Sequence, residues 1–388
     1  MPSLFTLVTL LALTTPSVLA GSSCVAFDTA WNLLAFGFNG KDYNAGTSDT
    51  WASVDSSSPG SATDITTTGR PPFNGNNTKC YLAEFFNAVY VLGADTANIN
   101  DIYIYDAGAK NWSQQTITPV SGFDTSTYQA ILDHDTNVFY ALSNGELYSL
   151  NMGTLASAQS TAIPWVDQEA AGITTTNYNP TMAIAQNHIY FFGVPGVAAG
   201  SAPIFVIHFE FWQTDAQSYG GSFPDGHGQA TSFFLDSVVQ ENIAFIPDDG
   251  SQTYIVNVQF NTTETMAGPS IVDAEASYFA SETALVQLAS SGVVSWLPFS
   301  PNDTTTNSAA KWSTVQSLAT VAPPSSGSST GSGSSASKTA TKGATSGAST
   351  GTSTGSSSTA SGSSGATRQV VWGSGIALGL ATVALTLL

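Results

Sequence analysis

The sequence predicts an all-β protein: a β-propeller of six four-stranded blades over residues 21–320, followed by a disordered Ser/Thr-rich stalk. Three observations carry that expectation. Short runs rich in Val, Ile, Phe, Tyr and Leu recur between clusters of Gly, Asn, Asp, Ser and Pro, with no amphipathic helical period among them. The runs return in the same order six times, their first strands starting at residues 24, 80, 128, 181, 230 and 276. Each unit is too small to bury both faces of its own sheet, and a ring of such units buries them while leaving only short edges. Five or seven blades remain compatible with the spacing. A two-sheet sandwich accounts for the strands but not for their recurring order.

The clearest unit runs from Asn87 to Trp112, NAVYVLGADTANINDIYIYDAGAKNW. Its template identifies the fainter copies. First strands read CVAFD, CYLAEF, YQAILD, TMAIAQ, ATSFFLD and ASYFAS. Second strands end at Gly37, Gly93, Ser143, Gly193, Pro247 and Ala289. Third strands are expected as DTWASVD from Asp49, DIYIYD from Asp101, ELYSLN from Glu146, PIFVIHF from Pro203, TYIVNVQF from Thr253 and VVSWLPF from Val293. Asn144-Gly145, Asp249-Gly250 and Ser291-Gly292 supply the positive φ that tight hairpins need. A fourth, more variable strand carries Trp112, Trp165, Trp212 or Trp312.

Cys24 and Cys80 occupy the same place in units one and two, each 13 residues before its glycine. Equivalent positions on neighbouring innermost strands approach each other near the ring axis, so a disulfide is expected; two buried free thiols are the alternative. An oxidising compartment agrees with the two ends of the chain. Residues 1–20 form a short apolar run closing on Val18-Leu19-Ala20, the pattern of a secretory signal cleaved between Ala20 and Gly21, although no Lys or Arg precedes the run. Residues 321–367 are almost pure Ser, Thr, Gly and Ala, without aromatic residues or apolar period, so they cannot bury a core. Residues 368–388 supply an apolar tail with nothing after it, and small residues around Ser363 and Ser364 precede it. Small site, polar spacer and apolar tail make the signal for a GPI anchor, with Ser364 as the attachment residue; a true membrane helix is the alternative.

DIYIYDAGAKNW resembles the third strand, aspartate and tryptophan of a kelch repeat, and VYVLGA resembles that family's second strand, where a glycine pair is usual. Here only Gly93 of the pair is present. The resemblance implies a divergent kelch-like propeller, and the whole layout is similar to that of fungal GPI-anchored surface proteins.

The charge is strongly negative, −19 with 27 acids against eight bases, and every acid precedes Pro323. Such a surface repels phosphate backbones, which excludes nucleic acid as the expected partner. Valid N-glycosylation sequons stand at Asn76, Asn111, Asn261 and Asn302, all at expected strand ends, while the proline in Asn179-Pro180-Thr181 excludes that site. Asp133 to Asn137 resembles the opening of a calcium loop, but Val138 stands where the sharp turn needs glycine. The G-x-S-x-G matches at Gly347 and Gly351 lie in the low-complexity segment without a strand before or a helix after them. His134, His188, His208 and His227 show no metal-ligand spacing, with His227 expected on the ring face opposite His134 and His188. Asp28, Glu84, Asp133 and Asp236 recur at first turns, where Asp serves local hydrogen bonds. No catalytic residue, metal ligand or cofactor is implied, and the cysteine pair does not fit the copper radical oxidases of kelch type. The expectation is therefore a secreted, GPI-anchored monomer binding glycan or protein ligands. A carbohydrate-active enzyme with paired carboxylates in the ring axis is the alternative.

Overall fold

The computed structural model describes residues 22–51, 62–221, 223–235 and 240–321. Six four-stranded antiparallel sheets, each with its strands in chain order, form the blades of a propeller. The innermost strands are Cys24–Phe27, Lys79–Ala83, Gln129–Asp133, Thr181–Ala185, Gly228–Ser232 and Ser277–Ala280. Successive innermost strands are neighbours all the way round, and Ser277–Ala280 returns beside Cys24–Phe27. The signal peptide, Ala20, Gly21, Asp236, the Ser/Thr-rich segment and Ser364 lie outside the described residues.

The blades hold one another through period-two patterning. In blade two the second strand, Ala88–Leu92, is buried along its whole length. Tyr90 and Leu92 join the core shared with blade three, while Val89 and Val91 join the core shared with blade one. Each of the six seams between adjacent blades has its own buried cluster of this kind among the described residues. Burial on both faces is why these strands read as unbroken apolar runs rather than as alternating ones.

The fourth-strand tryptophans have a common task. Trp112 packs its edge against Phe36 of the preceding blade at 5.1 Å, and Trp212 lies 4.9 Å from Phe191 within the seam between blades three and four. Trp165 and Trp312 stand just ahead of their fourth strands, Val166–Ala170 and Ser313–Thr314, and fill the seams behind blades three and six. The incoming chain passes close over this ring: a Cβ on Gly172 would lie 2.4 Å from the Trp212 side chain. At the end of the second strand Gly93 has φ +70, and a Cβ there would meet the Asn77 carbonyl oxygen at 2.5 Å. The repeat's glycine is thus required by both its backbone conformation and the link that crosses it.

Two expected strands are corrected. The third strand of blade one is Lys41–Asn44, not DTWASVD from Asp49. Asn39 and Gly40, at φ 50 and 77, turn the chain back immediately after the second strand. Ser48–Trp51 is instead a single helical turn that delivers Trp51 into the seam between blades six and one. There the Trp51 ring meets Trp296 at 5.3 Å, and its indole N–H donates to the Gly46 carbonyl at 3.0 Å. In blade four, PIFVIHF is strand only over Ile204–Val206, because a 3-10 turn, Ile207–Phe209, removes His208 from it.

All four strands of blade six come from one contiguous run, Ser277–Thr314. No strand from elsewhere in the described chain completes that blade, so the ring closes by side-chain packing. Val315 and Leu318, in and beside the short helix Gln316–Ala319, extend the packing onto blade one. On the other side of blade one, Cys24 and Cys80 form a disulfide with Cα atoms 5.8 Å apart. The pairing is as expected but the equivalence is not: Cys24 pairs in its ladder with Phe36, one residue before Gly37, whereas Cys80 pairs with Val91, two before Gly93, so the two lie one register step apart and both face the seam between blades one and two. Arg70, in the link between blades one and two, makes a two-point pair with the fully buried Asp42 at 2.7 and 2.9 Å. Asp42 also accepts the Gly37 amide at 3.0 Å, so its carboxylate is held from both sides.

The disulfide spans 56 positions. Replacing both cysteines by serine is expected to cost about 4 kcal/mol of stability from loop-closure entropy. Urea unfolding of the oxidised protein and the double variant measures it; equal midpoints would show that the bridge does not restrain the unfolded chain.

Candidate functional site

In these meander blades the turns joining first to second and third to fourth strands lie on one face of the ring, here the turn face. The hairpins joining second to third strands, and the links between blades, lie on the other, the link face. A funnel of about 400 Å³ follows the axis. Its wall is built from the innermost strands of all six blades, and its mouth lies on the link face, where Asn76, Asn179, His227 and Glu275 surround it.

Phe234, just beyond the innermost strand of blade five, forms the floor of the funnel. The Phe234 ring lies 5.4 Å from Trp31 of blade one and 5.3 Å from His134 of blade three, so it reaches across the ring at the turn face. His134 is buried, with its Nε2 3.6 Å from carboxylate oxygens of Glu84 and Asp135. Desolvation pushes its pKa below the ordinary histidine value, which favours the neutral ring in this floor.

The wall mixes polar and apolar groups in about equal share and is mostly uncharged. Thr181 donates its hydroxyl to the Gly228 carbonyl at 2.9 Å, Tyr81 donates to the Ala130 carbonyl at 3.1 Å, and Gln229 donates to the Ala274 carbonyl at 3.2 Å. These bonds tie neighbouring innermost strands together across the seams. Lys79 opens the innermost strand of blade two and donates from Nζ to Oε1 of Gln129, which opens that of blade three. Burial in the wall lowers the Lys79 pKa to about 8, and desolvation is the cause. At the mouth, His227 Nδ1 lies 2.9 Å from both carboxylate oxygens of Asp248, and its Nε2 lies 2.8 Å from the Asn179 amide nitrogen. With Nδ1–H donating to Asp248, Nε2 is left to accept from Asn179, so both ring nitrogens are engaged.

The residues singled out in the sequence separate in the structure. His227 is on the link face, whereas His134 and His188 are at first turns on the turn face, with His188 opening the second strand His188–Phe192. Among the described residues no three His, Cys, Asp or Glu side chains gather as a metal-ligand group. Asp28 accepts from the amides of Ala30 and Asn32 at 3.0 and 2.9 Å, and Asp133 accepts from the Thr136 hydroxyl at 2.5 Å. These acids serve their own turns and lie away from the funnel mouth. One oxygen of Asp133 is buried without a hydrogen-bond partner, and desolvation raises that carboxyl's pKa. Asn76, Asn111, Asn261 and Asn302 are all exposed, and Asn76 stands at the funnel rim. The turn face carries the exposed rings of Phe85, Phe209, Phe211 and Phe260.

Lys79, Gln129, Phe234 and the His227–Asp248 pair were not singled out as a site from the sequence. Lys79 alone left a trace there, as one of only eight basic residues. Among the described residues no helix is long and apolar enough to cross a membrane.

The folded-state pKa of Lys79 lies below its ordinary value of 10.5, at about 8. Between those values the unfolded chain holds a proton that the folded chain has released, so stability rises with pH in that window. Below about pH 8 the buried charge opposes folding. Relative to Lys79→Met, the wild type should therefore gain stability from pH 8 to pH 10.5 in denaturant titrations. Parallel curves would show that the amine is solvated.

No protein-family model and no curated protein matches this chain.

Proposed function

We propose that the chain is a secreted surface protein, held by a GPI anchor on a Ser/Thr-rich stalk, that binds glycans in its central funnel without catalysing their cleavage. The kelch-like features of the second unit and the layout of signal, propeller, stalk and apolar tail support this reading. The observation that carries it is the funnel itself. A cavity of about 400 Å³ falls within the usual range of small-ligand sites, roughly 300–1,000 Å³. It is too small to admit a folded protein, which favours a glycan over a protein ligand at this site. Its amides, hydroxyls and the rings of Tyr81 and Tyr278 offer what a sugar presents in return: alternating hydroxyls and apolar C–H faces.

Hydrolysis through paired carboxylates would need a second acid facing Glu275. Among the described residues that line the funnel, Glu275 is the one carboxylate, so the glycosidase reading has no support in this wall.

The test is a glycan array with the full chain and a Ser277→Trp variant. Ser277 is exposed at the funnel wall, so the indole should fill the cavity at little cost to the fold. The expected result is at least a tenfold loss of every glycan signal. Undiminished binding by the variant, or no glycan signal from the wild type, would overturn the funnel reading. For the anchor, phosphatidylinositol-specific phospholipase C should release the protein from intact cells; retention after treatment would favour a membrane helix.

A further inference from the structure

Among the described residues that line the funnel, Lys79 is the one Lys or Arg, with His227 at the mouth engaged by Asp248 and Asn179, and the lysine's setting is unusual in a chain of net charge −19. The described bases of blade one and of the link after it are spoken for: Lys41 pairs with Asp64 at 2.7 Å and Arg70 with Asp42 at 2.7 Å. Lys79 has a neutral partner instead, the side-chain oxygen of Gln129. No carboxylate offsets its desolvation. A partly buried ammonium held by an amide alone is short of a counter-charge, and it lines the cavity.

We infer that the funnel binds a hydroxylated carboxylic acid of the sugar-acid class, with the carboxylate on Lys79 and the hydroxyls on the amide and hydroxyl groups of the wall. This rests on the funnel reading above and names its ligand class. One cation matches one negative charge. A phosphate dianion would bring a second charge toward Glu275 and Asp248 at the mouth, in a protein that is already strongly acidic. A neutral sugar would leave the ammonium without a counter-ion. The carboxylate also replaces lost hydration with a charge-assisted hydrogen bond, among the stronger contacts available in such a wall. Gln129 fixes the ammonium on the blade three side, and Asn179 and Gln229 lie further round the wall, within the same cavity, to meet ring hydroxyls.

Binding requires the charged amine. Affinity for the acid is therefore full below about pH 8 and falls as the amine loses its proton above that value. The bound carboxylate favours the protonated form, so binding above pH 8 takes up a proton.

The test is calorimetric titration of the full chain with sodium glucuronate, glucuronamide, glucose and glucose 6-sulfate, in 0.15 M salt, at pH 6.5 and pH 9.5. The expected result at pH 6.5 is glucuronate binding at least tenfold tighter than glucuronamide or glucose, a preference lost by pH 9.5. Lys79→Met should abolish the preference for the acid over the amide and glucose. The pH series on the wild type reads the same dependence if that variant does not fold. Equal affinity for acid, amide and glucose would overturn the inference and leave the funnel reading standing. Tighter binding of the sulfate ester would overturn it in favour of a sulfated sugar. No binding of any of the four, together with a silent glycan array, would remove both.

Discussion

A blade of this propeller cannot stand alone, and the structure depends on the apolar packing that each sheet makes against both neighbours. Alternate residues of one strand serve opposite seams: Tyr90 and Leu92 face one way, Val89 and Val91 the other. The tryptophan of the outermost strand completes the seam behind it, as Trp112 does against Phe36. Closing the ring is the demanding step, because blade six is built from a single run of chain and no shared strand locks it to blade one. Trp51, Phe27 and Trp296 meet that demand with a cluster of large rings. The disulfide restrains the opposite flank of the same blade. Blade one is thus gripped from both sides, by packing on one and by a covalent bond on the other.

The same constraint produces the site. Six innermost strands packed edge by edge around an axis leave a space that none of them can fill. Each blade contributes the same few positions to its wall, but with different side chains: Lys79, Gln129 and Thr181 open three successive innermost strands, and Gln229 holds the matching register position in the next. A wall of equivalent positions bearing unlike groups is how a symmetric scaffold acquires an asymmetric binding surface. Phe234 then reaches across the turn-face end of the axis to meet rings from blades one and three.

Much of the architecture was legible in the sequence because burial on both faces writes itself as repeated apolar runs with glycine or Asx-glycine punctuation. The blade number, the order of strands and the cysteine pairing followed from that repetition. Blade one misled for a physical reason. Its true third strand, KDYN, is short and polar at all but Tyr43, while the aromatic stretch around Trp51 looks like a strand but serves as a plug for the closing seam. PIFVIHF likewise kept its apolar look past the point where the 3-10 turn takes over. The site was far less visible. Lys79 and Gln129 are 50 residues apart and acquire meaning only when the ring places their strands side by side. The acids at first turns were conspicuous in sequence, yet Asp28 accepts from its own turn and Asp133 accepts the hydroxyl of Thr136 in its own turn.

The account's central claim is that ligand enters the funnel from the link face. Hydrogen–deuterium exchange of the full chain, with and without saturating glucuronate, tests it most directly. The account predicts slowed exchange in the segments that build the mouth and wall, residues 76–82, 129–132 and 179–184, with the turn face unchanged. Protection confined to the exposed phenylalanine turns at residues 207–211 and 258–261 would contradict it and place recognition on the opposite side of the ring.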